Sequence, residues 1–107
     1  MASTKDEIIR DVKKYLAELN RHGIPVQKAI LFGSWAKGHV SEESDIDIAV
    51  ISDVFTGDRF EDRRKIVPLR RKINTRIEPI PYSPLSFDSG GHLIDEIKQY
   101  GEPVSTS

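Results

Sequence analysis

Two aspartates and a glycine-serine pair are the residues of this sequence whose types and spacing could do chemistry. Asp45 and Asp47 begin one apolar run, and Gly33-Ser34 closes an earlier one, with ten residues between the two motifs. Because side chains alternate along a strand, both carboxylates project from the same face, where their like charges repel. Oxygen ligands in a chain without cysteine suit Mg2+ or Mn2+, which would relieve that repulsion. The pair therefore predicts a metal site completed by the phosphates of a substrate.

The glycine-serine pair supplies the complementary half of this predicted site. Gly33 lets the backbone approach a ligand closely, and Ser34 offers a hydroxyl and a backbone N–H at the start of a short helical turn over Trp35 and Ala36. Lys37 follows the turn and is a candidate phosphate partner by its position. An ordinary polar turn is the alternative, but that account leaves an aspartate inside an apolar strand unexplained.

These motifs resemble the signature of the nucleotidyltransferase superfamily with the polymerase-beta-type fold, and in particular its smallest branch, the minimal nucleotidyltransferases. Residues 32–38 and 44–50, which read FGSWAKG and SDIDIAV, carry the resemblance. It implies a fold of the α/β (α+β) class, in which three to four helices pack on a small mixed sheet of three to four strands. The resemblance covers most of the chain, and we expect residues 1–107 to form a single domain.

The resemblance also implies roles for individual residues. The catalytic and metal-binding residues would be Asp45, Asp47 and Glu78. The nucleotide-binding residues would be Gly33, Ser34, Lys37 and Ser44. The family often has arginine where this chain has Trp35, so we expect Lys37 to take more of the phosphate and Trp35 to pack under the turn. His39 could reach a phosphate or act as a base, but a lone histidine in a polar loop is more often exposed.

The third carboxylate is expected on a third strand. Residues 76–81 read RIEPIP, an alternating pattern whose prolines limit the strand to an edge or to a strand end. Glu78 is the only acidic residue of this segment. The resemblance places a third carboxylate on a strand beside the aspartate pair, which matches this position.

The remaining elements are predicted to be helices that cover the sheet. The spacing of apolar residues predicts a first helix after Ser3 or Thr4, ended by Gly23. A second begins near Asp58 and continues to about Asn74, kinked or divided at Pro68. A last helix follows Gly91, with an apolar stripe of Leu93, Ile94, Ile97 and Tyr100. We expect the tail, residues 103–107, to be frayed.

The most basic stretch of the sequence lies in the predicted second helix and just after it. Its members are Arg63, Arg64, Lys65, Arg70, Arg71, Lys72 and Arg76. Groups about seven positions apart return to one helix face, so the stretch predicts either a solvated face or a docking patch. The ligand of such a patch would be RNA phosphates or an acidic partner protein.

Composition narrows the class of protein. The chain has a net charge of −1 and a pI near 6.3, which give no overall attraction to nucleic acid. Nucleic acid could therefore bind only through a partner protein or through the local basic patch from Arg63 to Arg76. No apolar run reaches signal-peptide or membrane-spanning length, and cysteine is absent, so we expect a cytoplasmic protein that does not contact membranes.

The function predicted from these residues is metal-dependent nucleotidyl transfer. The chain would move AMP, or another NMP, from an NTP, with ATP as the expected donor and Mg2+ or Mn2+ as the ion. In many minimal nucleotidyltransferases the acceptor is a tyrosine of a HEPN-type toxin encoded nearby, so the resemblance implies an antitoxin. The Arg-x4-6-His motif of that toxin is absent here, because no arginine stands five to seven residues before His22, His39 or His92, so the toxin would be another chain.

Two alternatives remain open. The chain could be an antitoxin that neutralises its toxin by binding alone, with vestigial carboxylates. It could instead modify a small molecule such as an aminoglycoside, in which case a homo-oligomer would have to build the acceptor pocket. The intact carboxylates Asp45, Asp47 and Glu78 favour catalysis.

Overall fold

The structure is a computed structural model that describes residues 4–37 and 45–105. Four strands and five α-helices form in these residues, where three to four of each were expected. The strands are β1 (Lys28–Phe32), β2 (Ile46–Ile51), β3 (Ile77–Tyr82) and β4 (Glu102–Pro103). The helices are α1 (Lys5–Arg21), α2 (Ser34–Lys37), α3 (Arg59–Ile66), α4 (Pro84–Ser89) and α5 (His92–Tyr100), and a 3-10 helix (Val67–Arg70) directly follows α3.

The strands form one mixed sheet in the order β3-β2-β1-β4. β1 is antiparallel to β2 and to β4, whereas β2 and β3 are parallel. The end of β1 therefore lies beside the start of β2, and the start of β3 lies on the other side of it. Phe32 and Glu78 are the register partners of Asp47 on its two neighbouring strands. This topology brings three segments that are distant in sequence together at one end of the strands.

The sheet is covered on both faces. On one face, Leu31 and Ile48 pack with the buried stripe of α1. On the other face, Phe32 and Ala49 pack with residues of α4 and α5. Because side chains alternate along a strand, Asp47 lies on the same face as Ala49. The aspartate thus stands at the open end of the smaller of the two apolar layers.

The helices begin where the sequence signals predict, but the second one ends at Arg70 in a 3-10 turn and does not continue to Asn74. Thr4 caps α1, accepting a hydrogen bond from the Glu7 backbone N–H at 3.2 Å. Asp58 caps α3 by accepting from the N–H groups of Phe60 and Glu61. The predicted division at Pro68 is confirmed, because α3 ends at Ile66 and continues as the 3-10 helix. None of the described helices combines the length and the apolar run that crossing a bilayer requires.

Two features of the C-terminal third differ from the expectations. The tail was expected to fray from Pro103, but Pro103 belongs to β4 and Val104 is buried. The Val104 N–H donates to the Ala29 carbonyl at 2.9 Å, which ties this segment to β1. The short helix α4 was not predicted, although Ser83 caps it and Pro84 occupies its first position, which is a recognised start signal. Its six residues are too few to show a helical period.

Candidate active site

Asp47 is surrounded by groups that the sequence motifs singled out. Glu78 stands beside it on β3, and Gly33 directly follows its β1 neighbour. Gly33 has a φ of 73°, a conformation that favours glycine. A Cβ atom at Gly33 would also clash with Oδ2 of Asp47. The glycine is therefore required both by its backbone conformation and by the closeness of the aspartate.

The turn after β1 forms the predicted short helix. Ser34 opens α2, so its hydroxyl and backbone lie next to the aspartate-bearing end of β2. Trp35 is only 4% exposed and belongs to the core beneath the sheet, which confirms that it packs under the turn. Its buried indole N–H has no hydrogen-bond acceptor within the described ranges.

Several predicted residues cannot be placed. Ser44 and His39 lie outside the described residues. The backbone of Lys37 ends α2, but its side chain also lies outside them. Their assignment to nucleotide binding or to an exposed loop stays a prediction.

The electrostatics of the aspartate pair match the repulsion expected from the sequence. Burial, the Asp45 carboxylate and the Glu78 carboxylate together raise the pKa of Asp47 to about 6. Burial is the largest cause, and the two like charges add to it. Asp45 itself is exposed and lies just before β2 rather than within it. Negative charge is thus concentrated at a half-buried position, which a cation would stabilise.

Glu78 is held by two arginines of the basic stretch. Nη1 of Arg70 donates to Glu78 Oε1 at 2.9 Å, and Nη2 of Arg63 lies 3.5 Å from Glu78 Oε2. The same Nη1 atom also donates to the Ile77 carbonyl at 2.7 Å. The sequence placed these arginines on one face by their spacing but did not predict that this face meets β3. Part of the basic stretch therefore belongs to the candidate site.

Other basic residues of this stretch lie on the surface of the protein. Lys65, Arg71 and Lys72 are exposed, and Arg64 pairs with Glu61 at 3.3 Å on the surface of α3. These residues remain available to a solvated or docking face, whereas Arg63 and Arg70 contact Glu78.

The residues present fit a divalent metal ion in part. Asp45 and Asp47 supply oxygen donors, and a cation would offset both the burial and the like charges that raise the pKa of Asp47. Across residues 4–37 and 45–105, however, no three acidic or histidine side chains are gathered closely enough to hold an ion by themselves. An ion here would thus complete its coordination with water or with substrate oxygens, as Mg2+ commonly does.

Comparisons with known proteins agree with this fold. The family described as "Nucleotidyltransferase domain" matches residues 9–102. The Methanocaldococcus jannaschii protein MJ0141, whose name assigns it provisionally as a protein adenylyltransferase, is 30% identical over 102 residues, covering 92% of this chain and 96% of that protein. The chain belongs to the nucleotidyltransferase family. It is a nucleotidyltransferase of the minimal type.

Two solved structures share the fold. One is a crystal structure from Sulfolobus solfataricus, described provisionally as a nucleotidyltransferase, with a TM-score of 0.68 and 16% identity over 92% of this chain and 80% of that chain. The other is a toxin-antitoxin complex crystallised with AMP-PNP, with a TM-score of 0.55 and 22% identity over 89% of this chain and 73% of that chain. At these identities the likeness shows the architecture alone.

Proposed function

We propose that this nucleotidyltransferase transfers AMP from ATP to a hydroxyl group of a partner protein. The observation that carries the proposal is the position of Asp47, half-buried, next to Gly33 and in register with Glu78, where burial and the neighbouring carboxylates raise its pKa to about 6. Such a group is suited to binding a cation that also holds a triphosphate. The protein adenylyltransferase name of the 30% identical relative supports AMP as the group and protein as the acceptor class.

The reaction forms one bond and breaks one. The acceptor oxygen bonds to the α-phosphorus of ATP, the bond from that phosphorus to the oxygen bridging to the β-phosphate breaks, and pyrophosphate leaves. The acceptor hydroxyl loses its proton to the surrounding water. A bound Mg2+ or Mn2+ supplies Lewis-acid stabilisation of the phosphate charge.

The residues of the chain divide this task between nucleotide and acceptor. Asp45 and Asp47 would hold the ion that binds the triphosphate, and Ser34 with the Gly33 backbone would bind its phosphates. Lys37 and Ser44 are assigned to the same phosphates by the sequence motif. Glu78, on the neighbouring strand, would face the acceptor hydroxyl and favour its deprotonation.

The acceptor we propose is a tyrosine of a HEPN-type toxin, so the chain would act as an antitoxin. A toxin-antitoxin complex crystallised with AMP-PNP has the same fold, which motivates both the toxin partner and ATP as donor. The exposed basic residues Lys65, Arg71 and Lys72 offer a surface that an acidic region of such a partner would match.

Binding without catalysis is the second candidate function. It is favoured by one observation, the engagement of Glu78 by Arg70 and Arg63, which leaves the third carboxylate paired with cations. A vestigial site would keep these contacts and dispense with the metal. Modification of a small molecule has no comparable observation in its favour within the described residues.

The position of a radioactive label in ATP separates these functions. The chain is incubated with Mg2+ and a HEPN-type toxin, the proposed acceptor, using ATP labelled at either the α- or the γ-phosphate. We expect label in the protein only from α-labelled ATP, because AMP transfer releases the γ-phosphate with pyrophosphate. Label from γ-labelled ATP would indicate phosphoryl transfer. A stable complex without label from either ATP would indicate neutralisation by binding.

A further inference from the structure

The two arginines that contact Glu78 are held very differently. Arg70 is 24% exposed in its side chain, and its Nη1 atom bridges the Glu78 carboxylate and the backbone of β3. Arg63 is 37% exposed and makes one contact of 3.5 Å, at the limit of a hydrogen bond. Each arginine occupies a different oxygen of the carboxylate. One contact is therefore fixed, and the other is weak.

The backbone that carries both arginines is anchored. Between them, the buried Tyr15 hydroxyl donates to the Ile66 carbonyl at 2.7 Å, at the junction of α3 and the 3-10 helix. The Ile66 side chain is also fully buried. A change in the Arg63 contact consequently requires only rotation of a long side chain and no movement of the helix.

The Arg63 guanidinium has space to rotate away from Glu78. It lines a surface pocket of about 410 Å3 together with Phe60, Arg64, Val67 and Pro68. Ion pairs that are this exposed contribute little to stability, because water and salt screen them. Rotation of the Arg63 side chain away from Glu78 therefore costs little free energy.

We propose that Arg70 is a positioning residue that fixes the Glu78 carboxylate on β3, and that Arg63 is an exchangeable counter-ion that must release Oε2 before a metal ion can use it. The inference rests on the proposed function, because it takes Glu78 to be the third carboxylate. It accounts for the lack of a ready-made group of three metal ligands in the described part of the chain. Arg63 then determines how readily the Glu78 carboxylate becomes available to a metal ion.

The charges around Glu78 predict the direction of each effect. The groups that face it are Asp47 on β2, Arg63 on α3 and Arg70 on the 3-10 helix. Removing the Arg63 charge leaves a more negative site with one free carboxylate oxygen, so a cation should bind more tightly. Removing Arg70 takes away the same charge but also the contact that orients the carboxylate, so no comparable gain is expected.

Mn2+ binding to the chain without nucleotide or acceptor tests this assignment. Free Mn2+ is measured by electron paramagnetic resonance for wild type, Arg63→Gln, Arg70→Gln and the control Arg64→Gln, which removes the same charge one residue away from a pair with Glu61. We expect Arg63→Gln to bind about fivefold more tightly than wild type, with Arg64→Gln within about twofold. Arg70→Gln should show no gain, and Arg70→Lys, which keeps the charge and a donor, should bind as wild type does.

A double-mutant cycle locates the effect. In a Glu78→Gln background, Arg63→Gln should no longer change Mn2+ affinity, because the carboxylate for which Arg63 competes is gone. Equal effects of Arg63→Gln and Arg64→Gln, a gain that persists with Glu78→Gln, or no Mn2+ binding by wild type or Arg63→Gln would each overturn the proposal. Since the assay contains no ATP, loss of the proposed activity and loss of this inference are separate outcomes.

Discussion

Asp47 and Glu78 are register partners on the parallel strands β2 and β3, so two carboxylates distant in sequence lie side by side at the end of the sheet. The pairing depends on β3 occupying the sheet edge next to β2. Glu78 contributes to the raised pKa of Asp47, even though Arg63 and Arg70 partly neutralise its charge. Burial is the largest cause of this raised pKa, and the Asp45 and Glu78 carboxylates both add to it.

The raised pKa of Asp47 predicts a pH-dependent stability for the metal-free protein. Its folded pKa of about 6 exceeds the ordinary value of 3.8, so the folded state binds this proton more tightly than the unfolded state. That contribution is fully present below the ordinary value and is lost as pH rises through about 6. Asp47→Asn removes it. We expect the urea midpoint in EDTA to fall more for wild type than for Asp47→Asn between about pH 4.5 and 7.5. Parallel pH profiles for the two proteins would contradict the expectation.

Gly33 predicts a stability effect that depends on Asp47. Gly33→Ala should cost about 1–3 kcal/mol, from a positive φ and a clash with Asp47, whereas Gly23→Ala should cost only about 1 kcal/mol. Gly23 has a similar φ of 83° but no neighbouring atom within 4 Å of an added Cβ. Denaturant unfolding of both variants gives the comparison. In an Asp47→Ala background the cost of Gly33→Ala should approach that of Gly23→Ala, and an unchanged cost would refute the contact.

Glu78 and Asp47 should differ in what they do for the nucleotide. If Glu78 acts on the acceptor side, Glu78→Gln should lower the transfer rate by orders of magnitude and leave MgATP affinity nearly intact. Asp47→Asn should reduce both. Calorimetric titration with MgATP, beside a transfer assay, separates the two roles. Equal losses of MgATP affinity would mean that Glu78 shares the nucleotide site, and full activity of Glu78→Gln would mean that Glu78 is not the third carboxylate.

Docking of a partner on the basic surface should depend on salt. The affinity for the proposed HEPN-type toxin is expected to fall at least about tenfold between about 50 and 300 mM NaCl, as is typical of charged interfaces. Lys65→Gln with Arg71→Gln should flatten this dependence. Lys13→Gln with Lys14→Gln, which removes the same charge from the exposed face of α1, serves as the control. A salt-independent affinity would exclude this surface, and binding of single-stranded RNA instead of the protein would favour the nucleic-acid alternative.

Much of the fold follows from local signals. The apolar runs, the cap at Thr4, the break at Pro68 and the edge position of a proline-containing strand are all properties of short segments. The proximity of Asp47 and Glu78 also follows from strand parity once β3 is placed beside β2. These features could be predicted because each depends on the residues of one element or on one pairing.

Other features depend on tertiary contacts that no local pattern contains. The strand β4 has only two residues and forms because it pairs with the free edge of β1. Its own sequence carries no strand pattern, so it was expected to be a frayed tail. The contacts of Arg63 and Arg70 with Glu78 depend on how α3 and the 3-10 helix cross β3. A basic residue has the same periodicity whether its face meets solvent or a carboxylate, so the sequence could not distinguish them.

The most direct measurement of the central claim is transfer of label from α-labelled ATP by wild type, Asp47→Asn and Asp53→Asn. Asp53 is an exposed aspartate just beyond β2, and its substitution removes the same charge outside the site. We expect Asp47→Asn to lose transfer by at least about a hundredfold while remaining folded by circular dichroism, and Asp53→Asn to stay within about twofold of wild type. Transfer by Asp47→Asn at the wild-type rate would contradict the assignment of this site.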